Sequence, residues 1–137
     1  MLTRRRFGGC AICAAVGLVA SRVDAQQPMQ MQGLTRTILQ KTEFPGEKYA
    51  TILVTVDIKP DTVIPRHTHP GLESTYVLDG ELNLAVKGRE PRKYKAGDSF
   101  QIPAETPHGG RTGDGPAKLS VTYVVEKDKP LASPAPE

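Results

Sequence analysis

The sequence predicts an all-β domain, a sandwich or a barrel, and three observations carry that prediction. Between residues 34 and 126 apolar side chains recur at every second position, the pattern of strands with one face buried. No stretch there keeps a helical period. The alternating runs are short and are separated by Gly, Pro and Asp, which supply the turns such a fold needs. At 137 residues the chain is long enough for one domain and too short for two.

The first 25 residues read as an address rather than as fold. Thr3-Arg4-Arg5-Arg6-Phe7 resembles the twin-arginine export consensus, and the mildly apolar run Gly8 to Ala20 follows it. Val23-Asp24-Ala25 offers small residues for cleavage after Ala25, which would place the protein in the periplasm or outside the cell. A general secretory signal and an uncleaved anchor are the alternatives, although the run is short for a stable membrane span. Cleavage also changes the charge. The 18 basic residues less Arg4, Arg5, Arg6 and Arg22 leave 14, and the 15 acidic less Asp24 leave 14. The formal +3 of the whole chain thus becomes zero, which removes the electrostatic case for a nucleic-acid or anionic-lipid partner. Cys10 and Cys13 both fall in this segment, so their Cys-x-x-Cys spacing carries no redox or zinc reading, and the mature protein has no thiol.

Residues 26–33, QQPMQMQG, are polar and aperiodic and read as a flexible lead-in. Met29 and Met31 would be the only ligands of a copper site there, a thin basis. The domain proper is expected over residues 34–126. In Lys48 to Ile58, Ile52, Val54, Val56 and Ile58 share one face, and Pro60-Asp61 turns the chain. Thr62 to His69 is the next strand, and Pro70 keeps His69 extended. Leu72 to Leu78 follows, and Asp79-Gly80 predicts a two-residue hairpin into the run Leu82, Leu84, Val86. A turn at Gly88 to Pro91 leads to a short strand at Arg92 to Lys95, and Ala96-Gly97-Asp98 turns into the alternating Phe100 and Ile102. After the loop from Pro103 to Pro107, His108 opens a strand that ends at Thr112 to Pro116. The last strand, Leu119 to Glu126, puts Val121, Tyr123 and Val125 on one face. Residues 127–137, KDKPLASPAPE, read as a disordered tail.

All three histidines, His67, His69 and His108, sit in two of these segments together with Glu73. On an extended strand the His-x-His pair shares a face and can grip one ion, and Glu73 can return to it past the turn at Pro70-Gly71. His-x-His-x3-Glu-x6-Gly, read at His67, His69, Glu73 and Gly80, resembles the first motif of the cupins. Gly-x5-Pro-x4-His, read at Gly97, Pro103 and His108, resembles the second. Asp61 and Glu105 stand where these motifs usually carry Gly, and Thr112 where the second often ends in Asn. None of the three is a ligand position, so the departures bear on turn geometry rather than on the metal.

The resemblance implies a double-stranded β-helix, or jelly-roll barrel, with one divalent first-row metal held inside by His67, His69, Glu73 and His108. Fe(II) or Mn(II) suits a site that keeps open positions, whereas intrinsic affinity favours Ni, Cu or Zn. Folding before twin-arginine export would let iron or manganese be loaded inside the cell. The resemblance further implies a dioxygenase-like oxidoreductase acting on a small chelating substrate, with Glu73 as a base and Glu105 at the loop rim as a weaker second. Oxalate decarboxylase or germin-like chemistry is compatible with the same ligands. A sensing or carrier barrel that binds a small molecule without turnover is the competing class, its pocket lined by Thr75, Val77, Phe100 or Ile102. Pairing as a homodimer is expected, because a small sheet leaves edges to cover.

Overall fold

The computed structural model describes residues 29–44, 46 and 48–136. The predicted export signal, with its cysteines, lies outside them. The described residues are all-β, without a helix: β1 (Met29–Met31), β2 (Leu34–Glu43), β3 (Tyr49–Ile58), β4 (Val63–Thr68), β5 (Gly71–Val86), β6 (Arg92–Lys95), β7 (Ser99–Ile102), β8 (His108–Arg111), β9 (Ala117–Glu126) and β10 (Ser133–Pro134). Every pairing is antiparallel, and the order β1-β2-β3-β9-β5-β8-β4-β10, with β6 and β7 also on β5, curls into a half-barrel. This is the jelly-roll architecture expected of the sequence.

The alternation read from the sequence is the alternation that packs. Ile52, Val54, Val56 and Ile58 of β3 meet Leu82, Leu84 and Val86 of β5 and Leu119, Val121, Tyr123 and Val125 of β9 in one core, with Phe100 and Ile102 of β7. Each apolar side chain removed from water here contributes roughly 1.5–3 kcal/mol, so the core alone has to hold a chain that has no disulfide among its described residues. The interior-facing ends of these strands are where the polar site is set.

The hairpin predicted at Asp79-Gly80 is not one. β5 runs through it without reversing, and the register against β9 slips between Val77 and Asp79. Before Gly80 the strand pairs with β9 and β7; after it, the same strand pairs with β6 and β8. Gly80 is therefore the corner at which one strand leaves one sheet for the other, a bulge rather than a turn. Its φ of 72° is left-handed, and a Cβ there would lie 2.0 Å from the Pro116 carbonyl oxygen. Asp-Gly fits a left-handed backbone in either setting, which is why the dipeptide alone misled.

Both chain ends depart from expectation. Met29–Met31, placed in the flexible lead-in, forms a strand on β2, with Met31 opposite Leu34. Of residues 127–137, read as a disordered tail, the described 127–136 fold back instead: Ser133 and Pro134 pair with Thr68 and His67, and the Ala135 amide donates to the Arg66 carbonyl at 3.1 Å. Composition argued against a core in the tail. It could not register that the β4 edge offers unpaired backbone for the tail to complete.

The three departures from the family pattern also find places. Asp61 and Glu105 take left-handed φ values of 52° and 54°, the conformation glycine would adopt without strain. Thr112 is fully buried; its hydroxyl donates to the Lys59 carbonyl at 2.7 Å and accepts from the Thr62 amide at 3.0 Å, tying the end of β8 to the start of β4.

Candidate metal centre

The four predicted ligands come from three strands and one link between them. His67 is on β4, directly opposite His108 on β8 in the antiparallel register. His69 lies in the two-residue link before β5, held extended ahead of Pro70, and its carbonyl accepts from the Glu105 amide at 2.9 Å. Glu73 is the third residue of β5, between Ile102 of β7 and Tyr123 of β9. Period-two spacing puts His67 and His69 on one face, with ring centroids 4.9 Å apart; His108 lies 4.3 Å from the first and 5.2 Å from the second. One ligand nitrogen from each of the three rings lies within 4.8 Å of the others. Glu73 sits against this group: its Oε2 is 2.9 Å from His69 Nε2 and 3.2 Å from His108 Nε2.

The partners of the other ring nitrogens decide what these can do. His67 Nδ1 meets the Pro65 carbonyl at 2.8 Å, His108 Nδ1 the Thr106 carbonyl at 2.8 Å, and His69 Nδ1 the Leu131 carbonyl at 2.6 Å. A carbonyl oxygen only accepts, so in all three rings Nδ1 carries the proton and the neutral ring presents a bare lone pair at Nε2. The Nε2 atoms of His69 and His108 are buried and make no hydrogen bond among the described residues, for all their closeness to Glu73. Lone pairs facing an ionised carboxylate repel unless a cation or a proton lies among them. Three convergent imidazole nitrogens fit a first-row divalent metal, with the Glu73 carboxylate beside two of them, and backbone carbonyls behind ligating rings are the usual outer support of such a site.

The electrostatics follow from burial and mutual contact. Burial pushes the His67 ring down to about 4, against the pull of the Pro65 carbonyl. Burial acts to raise the Glu73 carboxyl, but the His108 and His69 rings outweigh it and hold the group below the ordinary carboxylate range. Burial likewise acts to lower His108, and the Glu73 carboxylate overrides it, so this ring takes a proton more readily than usual in the metal-free protein. Thr75 Oγ1 donates to Glu73 Oε1 at 2.7 Å, leaving Oε2 to face the imidazoles. Glu105 is exposed on its loop and does not enter the site. Of the residues expected to wall a pocket, Phe100 does line the cavity beside the ligands; Val77 and Ile102 are core.

Three contributors were not foreseen. Tyr123 packs its ring 4.7 Å from that of His69, and burial together with Glu73 pushes its phenol above its ordinary range, so it keeps its proton. Arg36 on β2 is buried, with its guanidinium carbon 5.8 Å from the Tyr123 ring centroid. Leu131, in the supposed tail, supplies the carbonyl behind His69. Arg36 left a trace in the sequence, as a cation in the inward register of an otherwise apolar alternation, Leu34, Arg36, Ile38; Tyr123 was legible only as one of an alternating face.

A profile of the family described as Cupin domain matches residues 54–125, which include all four residues. Dimethylsulfoniopropionate lyase DddQ of Ruegeria pomeroyi is 38% identical over 59 residues, 43% of this chain and 29% of the lyase. The match thus spans less than a third of that relative. The solved structure of the same lyase superposes with a TM-score of 0.65 at 23% identity, covering 80% of this chain and 60% of that one. KdgF from Halomonas sp. gives 0.61 at 22% identity, covering 75% and 89%. The polyketide cyclase RemF from Streptomyces resistomycificus gives 0.61 at 23%, covering 77% and 73%. At such identities the structural likeness is one of fold.

Proposed function

Because this chain belongs to the cupin family, we propose that it is a mononuclear metal-dependent enzyme acting on a small substrate whose oxygen atoms chelate the metal. The observation that supports this most is the set of three imidazoles whose Nδ1 atoms are committed to carbonyls and whose Nε2 lone pairs converge beside Glu73. His67, His69 and His108 would hold the ion, with Glu73 Oε2 as fourth ligand; Fe(II) or Mn(II) is preferred, with Ni, Cu or Zn as the competing ions. Bound there, the metal supplies Lewis acidity and a template for the substrate.

The chain's own residues supply the rest. Glu73 is ionised and oriented by Thr75, and on leaving the metal its Oε2 would take a substrate proton within the buried pocket. Tyr123, Phe100 and Val121 wall that pocket against water. The dioxygenase form of the proposal adds O2 as co-substrate. A second form, elimination or cyclisation by proton transfer, is favoured by the lyase and cyclase activities named for two of the similar proteins and by the ionised Glu73. Export through a twin-arginine signal cleaved after Ala25 to the periplasm, and pairing as a homodimer, complete the proposal.

The test is elemental analysis of protein recovered from the periplasm, then assay of metal-loaded protein with chelating enols, catechols and flavonols in an oxygen electrode. O2 uptake matched to substrate loss supports dioxygenation, and product formed under nitrogen supports proton-transfer chemistry. Both should vanish in His108→Ala. Saturable binding without product, or no bound metal, would overturn the enzyme reading.

A further inference from the structure

We infer that Arg36 is the receptor for the carboxylate of a small organic acid, which enters through a cavity bounded by β2, β4 and the folded-back C-terminal segment. The inference deepens the proposed reading of the barrel interior as a substrate site by naming the substrate class, and it rests on that reading.

Arg36 is only 8% exposed, and its Nε is buried with no hydrogen-bond partner among the described residues. None of the ion pairs among those residues includes it. The nearby carboxylate, Glu73, is spent on Thr75 and on the imidazoles. Arginine does not escape burial by losing its proton, and although the guanidinium lies over the Tyr123 ring, one that no carboxylate among the described residues pairs is a standing cost to the fold. A fork of planar donors matched to a carboxylate is what such a cost secures.

The space around it agrees. Arg36 and His67 line two adjoining cavities. The inner one, about 40 Å³, reaches Glu73 and His108. The outer one, about 210 Å³, is walled by Met31, Ile64, Pro65 and Ala132 to Pro134, and Arg66 joins it with an Nε that is also buried and unpartnered. That volume is below the roughly 300–1,000 Å³ of sites that take drug-sized ligands, and its walls are mostly apolar. A short acid fits: its carboxylate on Arg36, its carbon chain against the apolar wall, its far end at the metal ligands.

The experiment uses the whole protein, metal-free and zinc-loaded, with butyrate as probe and butyramide as its uncharged counterpart, read on the Arg36 Nε–H signal by NMR. Butyrate is expected to shift that signal saturably in both forms, and butyramide to leave it in place. Arg36→Met should weaken butyrate at least tenfold while raising the melting temperature of the free protein, because it removes a buried charge that no carboxylate pairs; Arg36→Lys should fall between. Butyrate binding that ignores Arg36→Met, equal binding of butyramide, the same shift from inorganic phosphate, or a lower melting temperature in Arg36→Met would each overturn the inference. Loss of the metal reading alone would look different: zinc not retained, with butyrate still held at Arg36.

Discussion

Ending the chain at Pro130 should weaken metal binding without unfolding the barrel. The truncation removes the Leu131 carbonyl, 2.6 Å from His69 Nδ1, and with it the acceptor that fixes this ring's tautomer. His69 is 2% exposed, so water does not readily take the place of the lost acceptor. Leaving a buried donor unsatisfied costs about 1–3 kcal/mol, which at ~1.4 kcal/mol per decade is a loss of roughly 5- to 150-fold in affinity. Removing the partner behind a ligating histidine typically costs about 10–100-fold. Truncation also opens the cavity that Ala132 to Pro134 close, letting some water in, so the lower half of that range, about tenfold, is expected. The fold should survive, because the lost segment contributes little beyond the short β10 pairing on an outer edge, the Ala135–Arg66 hydrogen bond and the half-buried Leu131 side chain. The assay is competition for zinc against a calibrated chelator, with circular dichroism and a thermal melt to confirm folding. Leu131→Ala is the control: it removes the side chain, keeps the carbonyl, and should bind nearly as tightly as the parent. A folded truncation with unchanged affinity, or a Leu131→Ala variant as weak as the truncation, would refute the role given to the carbonyl.

In the metal-free protein His67 is held at about 4, below the ordinary 6.5 it would regain on unfolding, so the unfolded chain binds the extra proton between those values and stability falls as pH drops through that window. Thermal melts across pH 4–6.5 should therefore slope less in His67→Gln than in the parent, and parallel slopes would contradict the assignment. His108 is shifted the other way by Glu73, so a proton competes for it more strongly than for an ordinary imidazole and zinc affinity should climb as pH rises, read by the same chelator competition. Gly80→Ala and Gly97→Ala both pay about 1–2 kcal/mol for a left-handed backbone. Only Gly80 also faces a backbone atom, so denaturant unfolding should find it the more damaging by about 2 kcal/mol or more. Glu105→Gly, relieving a φ of 54° on an exposed side chain, should add about 0.5–1 kcal/mol to unfolding stability and leave zinc affinity alone.

Period-two alternation and turn residues were enough to place the strands from β3 to β9, because each buries one face and that constraint is written residue by residue. The four candidate ligands were legible for a related reason. His67 and His69 are two apart on one extended stretch, and the spacing to Glu73 and His108 is local to each half of a two-part motif. Asp79-Gly80 shows where local reading stops: the same left-handed glycine serves a reversal or a corner, and what separates them is which strands wait on either side. β9 and β7 lie on one side, β6 and β8 on the other, and no window of sequence around Gly80 contains them.

What the chain's order of residues determined, then, was the alternation, the turns and the identity of the side chains able to hold a metal. What only the folded molecule decided was their state. The carbonyls of Pro65, Thr106 and Leu131 put the proton of each imidazole on Nδ1, and Thr75 turns Glu73. Arg36 Nε is left without a hydrogen-bond partner among the described residues, and a segment with no apolar pattern of its own closes over the mouth. Each of these depends on a hydrogen-bond partner or its absence, and for His69 that partner stands 62 residues away along the chain. A hydrogen bond is satisfied in space, and the sequence around a donor does not name its acceptor.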